Sequence, residues 1–84
     1  MKKRYNYEEA VSDAVEEAVE LVNTRLAEGW YDVAPSADKF QALAYKALIR
    51  RWDKAVVREG PRAKQDTYKL AEQRYLDIFQ GVLL

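Results

Sequence analysis

The run AVSDAVEEAVELVNTRL, Ala10 to Leu26, places apolar side chains three and four residues apart. Val11, Ala14, Val15, Ala18, Leu21, Val22 and Leu26 therefore fall on one stripe of an α-helix, and the acidic residues fall on the other faces. Asn6 is a suitable N-cap ahead of the run, with Glu9 at the position a capping box fills with a carboxylate. Gly29 supplies the left-handed residue that closes the helix. The first helix is thus expected over about residues 7–28.

Two further amphipathic stretches follow. Trp30 to Pro35 reads as a loop carrying the bulky apolar residues Trp30, Tyr31 and Val33. Ser36 then caps a second helix whose first turn holds Asp38, at the positive end of the helix dipole. Its stripe runs Phe40, Leu43, Ala44, Ala47, Leu48, Trp52, Ala55 and Val56, which predicts one helix over 37–59. Gly60-Pro61 stops it. A third helix is expected over 62–80, with Tyr68, Ala71, Tyr75, Ile78 and Phe79 on its main stripe and Leu70 and Leu76 to the side. Gly81 is expected to end it and leave Val82, Leu83 and Leu84 as an apolar tail. No alternating strand pattern and no repeat interrupts these segments. The expected fold is all-α, a three-helix antiparallel bundle with an apolar C-terminal tail, forming one domain over 1–84.

With 84 residues, no cysteine and no histidine, the chain lacks disulfide staples and the usual zinc and proton-shuttle side chains. A domain of this size buries only roughly 60% of its unfolded surface, so association with partners is an expected source of stability. No nucleophile–base pair can be assembled in the usual Ser or Cys form. Ser36 reads as a helix cap. The three glycines stand apart, so no phosphate-cradling loop is present. The sequence reads as a non-enzyme with no cofactor, no metal site and no membrane-spanning or secretory segment.

Net charge is zero, with 14 basic and 14 acidic residues, but the signs are segregated. Residues 8–28 hold seven acids against Arg25, and residues 39–64 hold eight bases against Asp53 and Glu59. Glu16, Glu17 and Glu20 form an acidic face on the first helix, expected to be solvated or to lie between subunits. Arg50, Arg51, Lys54 and Arg58 form a basic stripe on the second, and the four-residue spacing of Arg50, Lys54 and Arg58 puts those three on one side. Two explanations stand side by side: antiparallel helices attracting each other within the chain, or the acidic face of one copy meeting the basic face of the next. The basic stripe also suits a phosphate backbone, although zero net charge is unusual for a DNA-binding module.

The two Trp, six Tyr and two Phe are a heavy aromatic load for this length. Phe40, Trp52 and Tyr75 read as core. Trp30, Tyr31, Val82, Leu83 and Leu84 read as partner-binding residues, because loops and chain ends are poorly placed to bury them internally.

The passage Ala18 to Leu26 leading into Gly29-Trp30-Tyr31 and Pro35 resembles the corresponding passage of tailed-phage head-to-tail connector (adaptor, or head-completion) proteins. Phe40 to Trp52 is similar to their alanine- and leucine-rich helix ending in arginine and an aromatic. Tyr68 to Leu84 is similar to their last helix with its glycine and short apolar tail. The resemblance covers about residues 8–84. It implies a structural virion subunit that forms a ring beneath the portal protein, extends the DNA channel and docks the next tail component, with passive contact with packaged DNA. The implied location is the host cytoplasm during assembly and then the neck of the virion. Two other readings stand beside it: a small phage-encoded regulatory or inhibitory protein using its acidic helix, and a helical DNA-binding domain using Arg50, Lys54 and Arg58.

Overall fold

The computed structural model describes residues 6–31 and 35–83, with side chains as far as Phe79. The described residues are all-helical: α1 (Tyr7–Ala27), α2 (Ala37–Arg51), α3 (Asp53–Glu59) and α4 (Pro61–Leu83). Both expected N-caps form. The Asn6 Oδ1 accepts from the Glu9 N–H at 3.1 Å, and the Ser36 Oγ accepts from the Lys39 N–H at 3.3 Å. After α1 the chain closes in a Schellman motif: the Trp30 N–H donates to the Arg25 carbonyl at 2.8 Å and the Gly29 N–H to the Leu26 carbonyl at 3.2 Å. Gly29 has φ +81° with open space around its Cα, so backbone conformation is what calls for glycine there.

The structure corrects two expectations. The second helix is broken: Trp52 has φ −140° and ψ 57°, and α3 sets off on a new course after it. Neither Gly nor Pro marks this break. The Trp52 N–H still reaches the Leu48 carbonyl, and its own carbonyl accepts from the Ala55 N–H, both at 2.8 Å, so Trp52 closes α2 and opens α3 with its own backbone groups. Packing is the cause. The fully buried Ala55 and the half-buried Trp52 and Val56 all lie in or against one apolar cluster, and that burial outweighs the weak local preference for a continuous helix. The second correction concerns the C-terminal end. Helix α4 runs through Gly81 to Leu83, because one glycine costs only about 1 kcal/mol in a helix and no proline follows it. Val82 and Leu83 are thus helical in backbone rather than a separate tail. Their side chains, and Leu84 and Val33, lie outside the described residues.

The core is divided into two parts. One joins Val15, Ala18, Val19 and Val22 of α1 to Phe40 and Ala44 of α2 and Ala71, Tyr75 and Phe79 of α4. The other joins Ala10, Val11 and Ala14 to Ala47, Leu48, Ala55 and Ala63. Late α1 thus meets early α2 and late α4, while early α1 meets late α2 and early α4. Helices α1 and α2 consequently run in opposite directions, and α4 runs alongside α1. The first part is aromatic, with Phe40, Tyr75 and Phe79 packed at centroid distances of 5.4–5.8 Å, two pairs tilted and one edge-on. The second is a seam of alanines, which lets four helices approach closely. The Tyr75 hydroxyl donates to the buried Pro35 carbonyl at 2.8 Å and so ties the α1–α2 loop to α4.

Phe40 is fully buried in the aromatic part. Phe40→Ala is expected to remove about 3–5 kcal/mol, a large share of the roughly 5–15 kcal/mol typical of a whole domain. Urea unfolding followed by circular dichroism checks this; a loss below about 1 kcal/mol would contradict the packing described.

Candidate functional site

The acidic face of α1 is engaged from two sides. The Glu17 carboxylate lies 3.8 Å from Arg50 and 3.9 Å from Arg51, both on α2. Glu16 meets α4 instead: Arg74 Nε lies 2.8 Å from Oε1, and Arg74 Nη2 donates to Oε2 at 3.1 Å. The Glu16–Arg74 pair had no signal in the sequence, since Arg74 stands among acids and polar residues of the last helix. Glu20 is exposed. The attraction between segregated charges therefore operates within the chain, on α1–α2 and also on α1–α4.

The residues of the basic stripe fall on two helices. The break at Trp52 leaves Arg50 and Arg51 on α2, against Glu17, while Lys54 and Arg58 sit on α3. Lys54, Arg58 and Asp53 surround Val57, which is 80% exposed.

Trp30 and Tyr31 come together with α1 through the Schellman turn. That motif sets Trp30 over Arg25, and the guanidinium lies 5.0 Å from the indole centroid. The indole Nε1 donates to Glu28 at 3.0 Å, and Arg25 Nη1 donates to the Tyr31 hydroxyl at 3.0 Å. Trp30 nevertheless remains 65% exposed. Two local contacts thus hold the exposed indole, and Tyr31 steadies the arginine beneath it.

Beside this corner, Leu21, Leu43 and Ile49 floor an open groove of about 650 Å³ between α1 and α2, rimmed by Arg25, Lys46, Arg50 and Glu17. The sequence offered Leu21 and Leu43 only as core residues and Ile49 as nothing in particular. On the outer side of α4, Leu76 is 49% exposed.

A further cluster lies where α1 begins. The Tyr7 hydroxyl donates to Asp66 Oδ2 at 2.7 Å, Arg62 donates to the same oxygen at 3.2 Å, and the Arg62 guanidinium lies 5.2 Å from the Tyr7 ring. Burial foremost, and then the Asp66 carboxylate, push the Tyr7 phenol well above its usual range. Among the described residues no group of His, Cys, Asp or Glu converges as a metal site, and no helix is long and apolar enough to cross a membrane. No family model, curated protein or solved structure matches the chain.

Two outcomes follow from these geometries. Glu17→Ala should cost no more than about 1 kcal/mol, because both arginines are half-exposed or more, and the difference should shrink in about 1 M salt. Thermal melts at two ionic strengths check it. Tyr7→Phe should cost about 0.5–1.5 kcal/mol at neutral pH. Because the folded phenol titrates above the unfolded one, that advantage is complete below about pH 10 and is lost as pH rises through the folded value. Denaturant midpoints of both proteins should therefore differ by a constant amount from pH 7 to about pH 10 and draw together above it.

Proposed function

We propose that this chain is a structural, non-enzymatic subunit of a phage-like particle, a head-to-tail connector that joins copies of itself into a ring beneath the portal and docks the next tail component. On this reading α1, α2 and α4 form the three-helix antiparallel bundle of the subunit, and α3 is its elbow. The observation that carries the proposal is the distribution of exposed apolar side chains. Trp30 is 65%, Val57 80%, Leu76 49% and Ile49 42% exposed, and they lie on α2, α3, α4 and the corner after α1. One partner on one patch would leave most of them in water. A ring subunit has two unlike lateral faces and further contacts above and below, so it has a use for apolar residues on several sides.

The same structure favours this reading over the two others. An inhibitor that mimics DNA with Glu16, Glu17 and Glu20 needs those charges outward, yet two of the three face arginines of their own chain. A DNA-binding face needs a continuous basic line, which the turn at Trp52 divides. The assembled location is the neck of the virion after assembly in the host cytoplasm, with any DNA contact passive.

Affinity purification of the tagged chain from its producing cells tests the proposal. Recovery in a megadalton particle beside a portal-sized ring protein supports it; recovery in a small complex with a host enzyme or nucleic acid overturns it. Trp30→Ala should leave folding stability within about 0.5 kcal/mol, as for other exposed positions, while lowering recovery in the particle.

A further inference from the structure

We propose that the groove between α1 and α2 is a docking site for a second copy of this chain, and that its occupant is the outer face of α4 around Leu76. The inference deepens the ring reading above and rests on it.

The groove combines an apolar floor (Leu21, Leu43, Ile49) with three bases and one acid on its rim (Arg25, Lys46, Arg50 against Glu17). An occupant that fits must present an exposed apolar side chain amid negative charge. Trp30 sits at the groove's own corner, stacked on its Arg25. Val57 is surrounded by Lys54 and Arg58 against a single acid, Asp53, a net positive surround that the basic rim would repel. The acidic face of α1 carries no large exposed apolar residue among those described. Leu76 is different. Glu72 stands one turn before it and Asp77 directly after it, all three exposed; Arg74, lying between, is paired with Glu16, and Lys69 is two turns back. This patch is the complement of the groove in both polarity and charge.

The two surfaces belong to different faces of one protomer. The groove opens on the α1–α2 side, and Leu76 points away from the aromatic core that α4 packs with Tyr75 and Phe79. A copy docked in this way keeps its own groove empty for the next, so the contact is heterologous and propagates head to tail. Lys46 meeting Glu72 and Ile49 meeting Leu76 are the pairings that bring opposite charges and apolar surfaces together.

Because the chain has no cysteine, disulfide trapping reads the contact without background. Ile49→Cys and Leu76→Cys copies, distinguishable by mass, are mixed at high concentration and oxidised. The mixed cross-link is expected to exceed either self-pair by about fivefold. A single chain carrying both changes should give a ladder of dimers, trimers and longer products. Lys46→Glu in the groove copy should cut the mixed product, and Glu72→Lys in the other copy should restore it, which a merely destabilised fold would not do. Equal or self-paired cross-links, no cross-link at all, or no rescue by the reversed charge pair would overturn the contact. The particle purification described above decides the ring reading separately: chains that enter the large particle but fail to form the mixed cross-link assemble through another surface.

Discussion

Phe40, Tyr75 and Phe79 are the contact around which the other helices are arranged. Three rings from two helices meet at centroid distances under 6 Å, and such pairs add about 0.5–1.5 kcal/mol each beyond the surface they bury. The valines of α1 complete the packing around them, so burying this one cluster fixes three helices at once. Tyr75 also has a hydroxyl to satisfy, and the Pro35 carbonyl answers it. A buried hydrogen bond at that point fixes where the chain enters α2. The corner that holds Trp30 and Tyr31 is then set by the end of α1 on one side and by this anchor on the other.

The helical class, the boundaries at Gly29 and Gly60-Pro61 and most of the core were legible in the sequence because each rests on local chemistry. Asn6 and Ser36 cap as their side chains allow, and a three-four stripe means the same thing wherever it packs. The break at Trp52 was not legible, since it comes from contacts with residues on three other helices and leaves no glycine or proline behind. Gly81 misled in the opposite direction: as a lone glycine it is a weak breaker, and the helix ignores it. Of the candidate site residues, Trp30 could be foreseen as exposed because it follows a helix-closing glycine. The groove could not. Leu21, Leu43 and Ile49 share no sequence motif, and only the pairing of α1 with α2 brings them side by side.

The segregated charges, which looked in sequence like two surfaces awaiting partners, are partly turned inward. Glu17 takes two arginines of α2 and Glu16 one of α4, so α1 acts as an electrostatic hub between the two helices. Exposed pairs of this kind contribute little to stability. Their effect is on specificity: they disfavour alternative helix orders in which like charges would meet. Glu20 and the other exposed acids of α1 stay outward, and beside them the surface is basic around the groove and acidic around Leu76.

The alanine seam has a consequence for motion. Ala10, Ala14, Ala47, Ala55 and Ala63 are all essentially unexposed, yet each has a single methyl to withdraw from water. The half of the molecule they hold therefore gains far less per residue than the aromatic half. Helix α3 buries fully only Ala55 of its seven residues. Amide protons in α3 and the adjoining turn of α4 should exchange through small local openings, while those beneath the aromatic rings exchange only when the whole domain unfolds. The molecule is built with one rigid end and one yielding end, and the yielding end carries Val57, the most exposed of its described large apolar side chains.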